Sequence, residues 1–183
     1  ESEFDNKFRW KKISMIFQGA MNSLDPVFTI NEQFIEILTQ HNFDGDFTQV
    51  IQDAIKAVKL DTLVLKKYPH ELSGGMKQRV AIAIATSMEP RIIVADEPTS
   101  ALDVVVQRNV MQTLGRLQEG LHASIILIGH DMGLVAQFSD HVGVMYAGRL
   151  VEVGPVKTVF KSPKHPYTRL LIKSLPTLSN KTD

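Results

Sequence analysis

The chain has 183 residues, 44% hydrophobic and 22% charged, which is long enough for a domain with a sizeable core. Lys plus Arg and Asp plus Glu both count 20, so no global field favours nucleic acid or an acidic lipid surface. The lack of cysteine excludes disulfides, thiolate metal sites and a cysteine nucleophile, and no apolar run approaches the ~18 residues of a membrane span. An aqueous compartment is expected, with docking on a membrane protein left open.

In chain order, a charged stretch, Glu1 to Lys12, has no initiator Met and runs straight into a strand-like segment, Ile13 to Phe17. That start suggests a cut inside a larger domain; a trimmed tag or cleaved start is the plainer alternative. Gln18 and a turn-rich stretch, Gly19 to Pro26, come next. Two amphipathic helices are expected, Asn31 to His41 and Thr48 to Leu60, the second with a stripe of Val50, Ile51, Ala54, Ile55 and Val58. Asp44-Gly45-Asp46 breaks the pair. After a short helical piece at Asp61 to Lys67, a Ser73-capped helix runs to about Met88, burying Val80, Ala81, Ile84 and Ala85.

Beyond Pro90 the texture changes. Arg91 to Ala95 and Ala123 to Ile128 read as buried strands, with helices at Val104 to Gln118 and Met132 to Phe138. Val142 to Tyr146 and Leu150 to Val153 are further strand-like runs, turning at Ala147-Gly148. Alternation of this kind predicts an α/β fold with a parallel sheet. From Pro155 onward the tail gives two short helical pieces.

Several positions have the chemistry of a site. Ser73-Gly74-Gly75 is an odd helix start, because two glycines cost helix propensity. Bare backbone N–H groups there can close on a phosphate. Asp96 and Glu97 end an apolar strand, at the sheet edge where such folds bind ligands, and strand alternation points them in different directions. One acid suits Mg²⁺ or its water shell; the other suits an attacking water. A solvated acidic turn before Pro98 is the bland alternative. Capping alone accounts for Asp103, His130 beyond the second buried strand fits a structural role, and the other histidines lack metal-ligand spacing. Gln18 stands just past a strand.

Taken in order, these features resemble the ATP-binding subunit of ABC transporters, a partial P-loop NTPase fold with a parallel-sheet core and an α-helical subdomain. Leu72 to Arg79 looks like the signature motif and Gln18 like the Q-loop. Ile92 to Glu97 resembles Walker B, Ser100 to Asp103 the D-loop, and His130 the switch histidine. His165-Pro166-Tyr167-Thr168-Arg169-Leu170-Leu171 is similar to the C-terminal extension of the oligopeptide and dipeptide importer branch, as is Phe17 to Ile30. That branch also contains nickel importers.

The resemblance implies an ATPase that uses ATP and Mg²⁺. Glu97 would be the base or water-orienting residue and Asp96 would hold the Mg²⁺ shell. Gln18 would sense metal and water, and His130 would contact the γ-phosphate. Ser73, Gly74, Gly75, Met76, Gln78 and Asp103 would bind nucleotide held by a second, head-to-tail ATPase subunit, identical or paralogous. Other implied partners are membrane permease subunits and, indirectly, a substrate-binding protein, at the cytoplasmic face of the membrane; nucleic acid is not among them. Gly129 departs from the family, where Thr or Ser commonly precedes the histidine.

No G-x-x-x-x-G-K-[S/T] occurs in the 183 residues. A fragment, inactive alone, is therefore expected, with core residues 1–18, a helical subdomain 19–88, core again 89–154, and an extension 155–183. Competing readings are a permease-docking module without catalysis and an ABC ATPase serving DNA repair or translation; the balanced charge and importer-like tail weigh against the last.

Overall fold

A computed structural model of the chain describes residues 8–100 and 102–174. The charged start, Ala101 of the expected D-loop and the end of the tail lie outside the described residues. Two compact units divide between Ile128 and Gly129. This boundary cuts through the expected 89–154 block, and the expected helical subdomain is contiguous with the sheet in the first unit.

The first unit is built on three parallel strands in the order β1 (Ile13–Ile16), β2 (Ile92–Asp96), β3 (Ser124–Ile128). Ile13 pairs with Ile92 and Ile16 with Ala95, so both chains leave the sheet at one edge, at Phe17-Gln18 and Asp96-Glu97. β1 and β2 bury alternate residues, whereas β3, expected as a buried strand, has none buried. Ile126 and Ile128 are about half exposed, so β-branched residue type alone misjudged its burial. Ile16, Ile93 and Ala95 are almost fully buried.

Between β1 and β2 lie α1 (Ile30–Gln40), α2 (Phe47–Ala57) and α3 (Gly74–Thr86). Thr29 and Glu32 close a capping box on α1, and hydrogen bonds from the Thr29 hydroxyl and its backbone N–H hold the Glu32 carboxyl below its usual range. Asp46 caps α2, which ends at Ala57, ahead of the expected Leu60. Lys59 follows in the left-handed region at φ 57°. Of the expected stripe, Ile51, Ala54, Ile55 and Val58 are buried, while Val50 is only half-buried.

The helix α3 differs from expectation. Ala81 is only half-buried, while Ile82 and Ala83 join Val80, Ile84 and Ala85 in the core. A helix buried on several sides carries no clean amphipathic stripe, which is why its sequence misdirects. After β2, Asp103 caps α4 (Val104–Leu121) by accepting the Val106 N–H at 2.9 Å.

The second unit starts with α5 (Met132–Phe138), followed by β4 (His141–Tyr146) and β5 (Arg149–Pro155). The last two strands do not extend a parallel sheet. They pair antiparallel, turning through Ala147 and Gly148, both at positive φ. The tail helices α6 (Val156–Lys161) and α7 (Pro166–Lys173) share a core with this hairpin: Val142, Val144, Val156 and Val159, flanked by Tyr167 and Leu171. Glu152 on β5 accepts the N–H groups of Lys164 (2.8 Å) and His165 (3.0 Å). The Lys164 N–H first, then the neighbouring Thr168 hydroxyl and the His165 N–H hold its carboxyl down to about 2. The expected extension is thus tied to the hairpin.

Candidate functional site

At the sheet edge, parallel pairing of β1 and β2 brings together two residues 79 positions apart. Gln18 Nε2 donates to Glu97 Oε2 at 2.9 Å. Glu97 itself has φ 43°, the left-handed region, which for a non-glycine residue costs roughly 1–3 kcal/mol. Its N–H donates to the Ile128 carbonyl (2.9 Å), and its own carbonyl accepts from the Ser100 N–H (3.0 Å). The turn so formed takes Glu97 out of the strand's alternation. Asp96, the last residue of β2, pairs in register with Ile128 and is half-buried.

The edge thus offers two carboxylates and an amide oxygen, hard donors of the kind Mg²⁺ takes, one or two at a time, alongside water and phosphate. No trio of His, Asp or Glu side chains suited to a metal gathers among the described residues. His130 is exposed and falls in the second unit.

The second part of the site is the start of α3. Ser73 accepts the Met76 N–H at 3.3 Å, an N-cap that leaves Ser73 and Gly74 exposed. Ser73, Gly74, Gly75 and Asp103 line one cleft of about 560 Å³, whose other walls include Lys59, Arg79 and Arg116. The two glycines differ in kind. A Cβ on Gly75 would come within 2.8 Å of Val106 Cγ1, so this glycine is needed for α3 to lie against α4. A Cβ on Gly74 meets nothing closer than 3.6 Å, at Met21 Sδ. Of the two, it is Gly74 that is bare with no packing contact requiring it.

Gln78 points the other way. It is 2% exposed, and its Nε2 donates to the Pro98 carbonyl at 2.7 Å, just past Glu97. From α4, Gln107 Nε2 donates to the Thr99 carbonyl at 3.2 Å. Sequence reading missed Gln107 and the cations of the cleft. One signal was available: Val106, Asn109, Val110 and Thr113, all lining the cleft, fall at i, i+3, i+4 and i+7 on α4.

With this geometry in place, comparison with known proteins is decisive for the family. The family model described as ABC transporter matches residues 2–100, and the chain belongs to that family. A second model, described as the oligopeptide/dipeptide transporter C-terminal region, matches residues 151–183. The dipeptide transport ATP-binding protein DppD of Lactococcus lactis is 44% identical over 97% of this chain and 52% of its own length. The oligopeptide transport ATP-binding protein OppD of Bacillus subtilis is 43% identical over 98% of this chain and 51% of its own. The chain therefore spans about half the length of these curated relatives. Among solved structures, a dimeric post-hydrolysis state of the ATP-binding cassette MJ0796 bound to ADP and Pi aligns with a TM-score of 0.67 and 28% identity. That alignment covers 80% of this chain and 64% of the other.

Proposed function

We propose that the chain is part of an ATPase subunit that couples ATP hydrolysis to the import of oligopeptides or dipeptides through a membrane permease. The observation that carries this reading is the Gln18–Glu97 hydrogen bond at the carboxyl edge of adjacent parallel strands. A carboxylate held there by an amide can orient and deprotonate water attacking a γ-phosphate. The match of residues 151–183 and the names of the two bacterial relatives support the substrate class.

In this reading Glu97 is the base, Asp96 holds Mg²⁺ directly or through its water, and Gln18 touches both metal and attacking water. His130 steadies charge developing on the γ-phosphate. Bound Mg²⁺ supplies charge neutralisation at the phosphates. The Ser73 hydroxyl and the Gly74 and Gly75 N–H groups offer donors to a γ-phosphate held by a second, head-to-tail ATPase subunit, with Asp103 across the same cleft. The dimeric state of the MJ0796 cassette supports a paired arrangement. No lysine-bearing phosphate loop occurs in the 183 residues, so this chain alone is expected to turn over no ATP.

The permease is the second partner. Exposed apolar side chains at Val27, Phe28, Ile35 and Leu63 support a docking surface on the helical part. The Ile30 N–H donates to the Lys67 carbonyl at 2.9 Å, tying the turn that carries Leu63 to the start of α1. No helix among the described residues is long and apolar enough to cross a membrane. The proposed location is the cytoplasmic face of the membrane, held by the permease.

The test is Glu97→Gln in the intact subunit assembled with its permease. Turnover is expected to fall by at least roughly a hundredfold, the loss typical of a missing general base, with Mg·ATP still bound. Normal turnover would remove Glu97 from the base role.

A further inference from the structure

The two helices whose first residues line the cleft also hold the turn that carries Glu97. Gln78 lies one helical turn into α3, beyond Ser73-Gly74-Gly75, and Gln107 lies in the first turn of α4, beyond Asp103. Their amides donate to consecutive carbonyls, Pro98 and Thr99. Pro98, Thr99 and Gln78 are buried, so the Gln78 bond is shielded from competing water, while the Gln107 bond is shielded only in part. Glu97 meanwhile keeps a left-handed φ that a freely relaxing turn would abandon.

We infer that Gln78 and Gln107 are positioning residues, which fix the Glu97 turn and tie its geometry to whatever occupies the cleft at the start of α3. The inference rests on the proposed function. Under that reading, a phosphate seated against Ser73 and Gly74 belongs to nucleotide gripped by the partner subunit, whereas Glu97 acts on nucleotide gripped by its own. Gln78 is then a rigid link between one composite site and the other. A shift of α3 along its axis as the cleft fills moves the Gln78 amide, and the Pro98 carbonyl with it. Neither glutamine touches substrate; each acts through Glu97.

The experiment uses the intact transporter with Gln78→Met and, separately, Gln107→Met, which keep side-chain bulk and remove the N–H donor. The single-turnover rate per bound ATP is expected to fall on the order of ten- to a hundredfold, as for a misplaced catalytic group, with ATP affinity unchanged. A second readout is hydrogen exchange at the Ser100 N–H, which bonds to the Glu97 carbonyl, followed in the Glu97→Gln background with and without Mg·ATP. Nucleotide is expected to slow this exchange, and Gln78→Met to remove the slowing.

A purely structural role for the glutamines would lower the amount of folded transporter and leave the rate per bound ATP at the wild-type value; that result overturns the inference. So does exchange at Ser100 that ignores nucleotide. Should Gln78→Met fail to fold, Gln107→Met, on a half-buried side chain, gives the same two readouts. Failure here is separable from failure of the proposed function: a dead Glu97→Gln enzyme with fully active glutamine variants removes the link alone.

Discussion

The sheet edge and the start of α3 are built on opposite plans. At the edge, chemistry-bearing groups already meet within the chain: Gln18 reaches Glu97, and the Glu97 turn is held by the Ile128 carbonyl and by the side-chain amides of Gln78 and Gln107. At the start of α3 the polar groups are exposed and face an open cleft. A closed arrangement positions groups for a reaction; an open one waits for a ligand. Under the proposed function, this contrast has one chain carrying half of each of two sites.

The largest expected effect breaks the open half. If the proposed function holds, Ser73→Arg in the intact subunit fills the cleft with a long side chain where the partner's nucleotide is to seat, so ATP turnover by the assembled transporter should be lost. Unchanged hydrolysis would argue against a ligand at this helix start. Next come the two glycines, which sharpen the comparison. Gly74→Ala fits within the chain, so the melting temperature should hardly move, corresponding to within about 0.5 kcal/mol, while turnover falls. Gly75→Ala meets Val106 and should cost about 1–2 kcal/mol by overpacking, partly offset by helix propensity. Thermal melts of the two variants side by side decide whether their roles differ.

The smallest effect concerns the second unit, outside the comparison. The Glu152 carboxyl is lowered from its usual value to about 2 by the Lys164 N–H, the Thr168 hydroxyl and the His165 N–H in the folded state. A depressed carboxyl contributes stability above its unfolded value, near 4.5, and loses that contribution as pH falls toward 2. Glu152→Gln should flatten the acid side of the melting profile between those limits. A profile identical to wild type would show that the Lys164 and His165 N–H groups lack this role.

Much of this organisation was legible because its signals are local. The caps at Ser73 and Asp103, the β-branched strands and the stripe on α2 follow from residue type and period alone. A parallel sheet was implied by strand–helix alternation, but that β1 pairs with β2 across the helical segment was not. What escaped depends on long-range packing. The burial of α3 on several sides erased its stripe. The role of Gly75 lies in Val106, which is 31 positions away. Gln78 reads as one more polar residue of a motif, and only the fold reveals that it turns inward to Pro98. The pairing of β4 with β5, instead of with the parallel sheet, follows from a turn too short for a crossover connection.

A labelling experiment distinguishes whether the start of α3 receives nucleotide gripped by another subunit, as proposed. The 183 residues contain no cysteine, so Ser73→Cys introduces a unique thiol among them. Its alkylation rate would be followed in the intact Glu97→Gln subunit, with and without Mg·ATP, once at high dilution and once assembled in the transporter. Protection by Mg·ATP in the assembled transporter, with none in the dilute subunit, is the result this account predicts. Equal protection in both would place the phosphate within a single subunit, and no protection in either would mean that nucleotide never reaches this helix start.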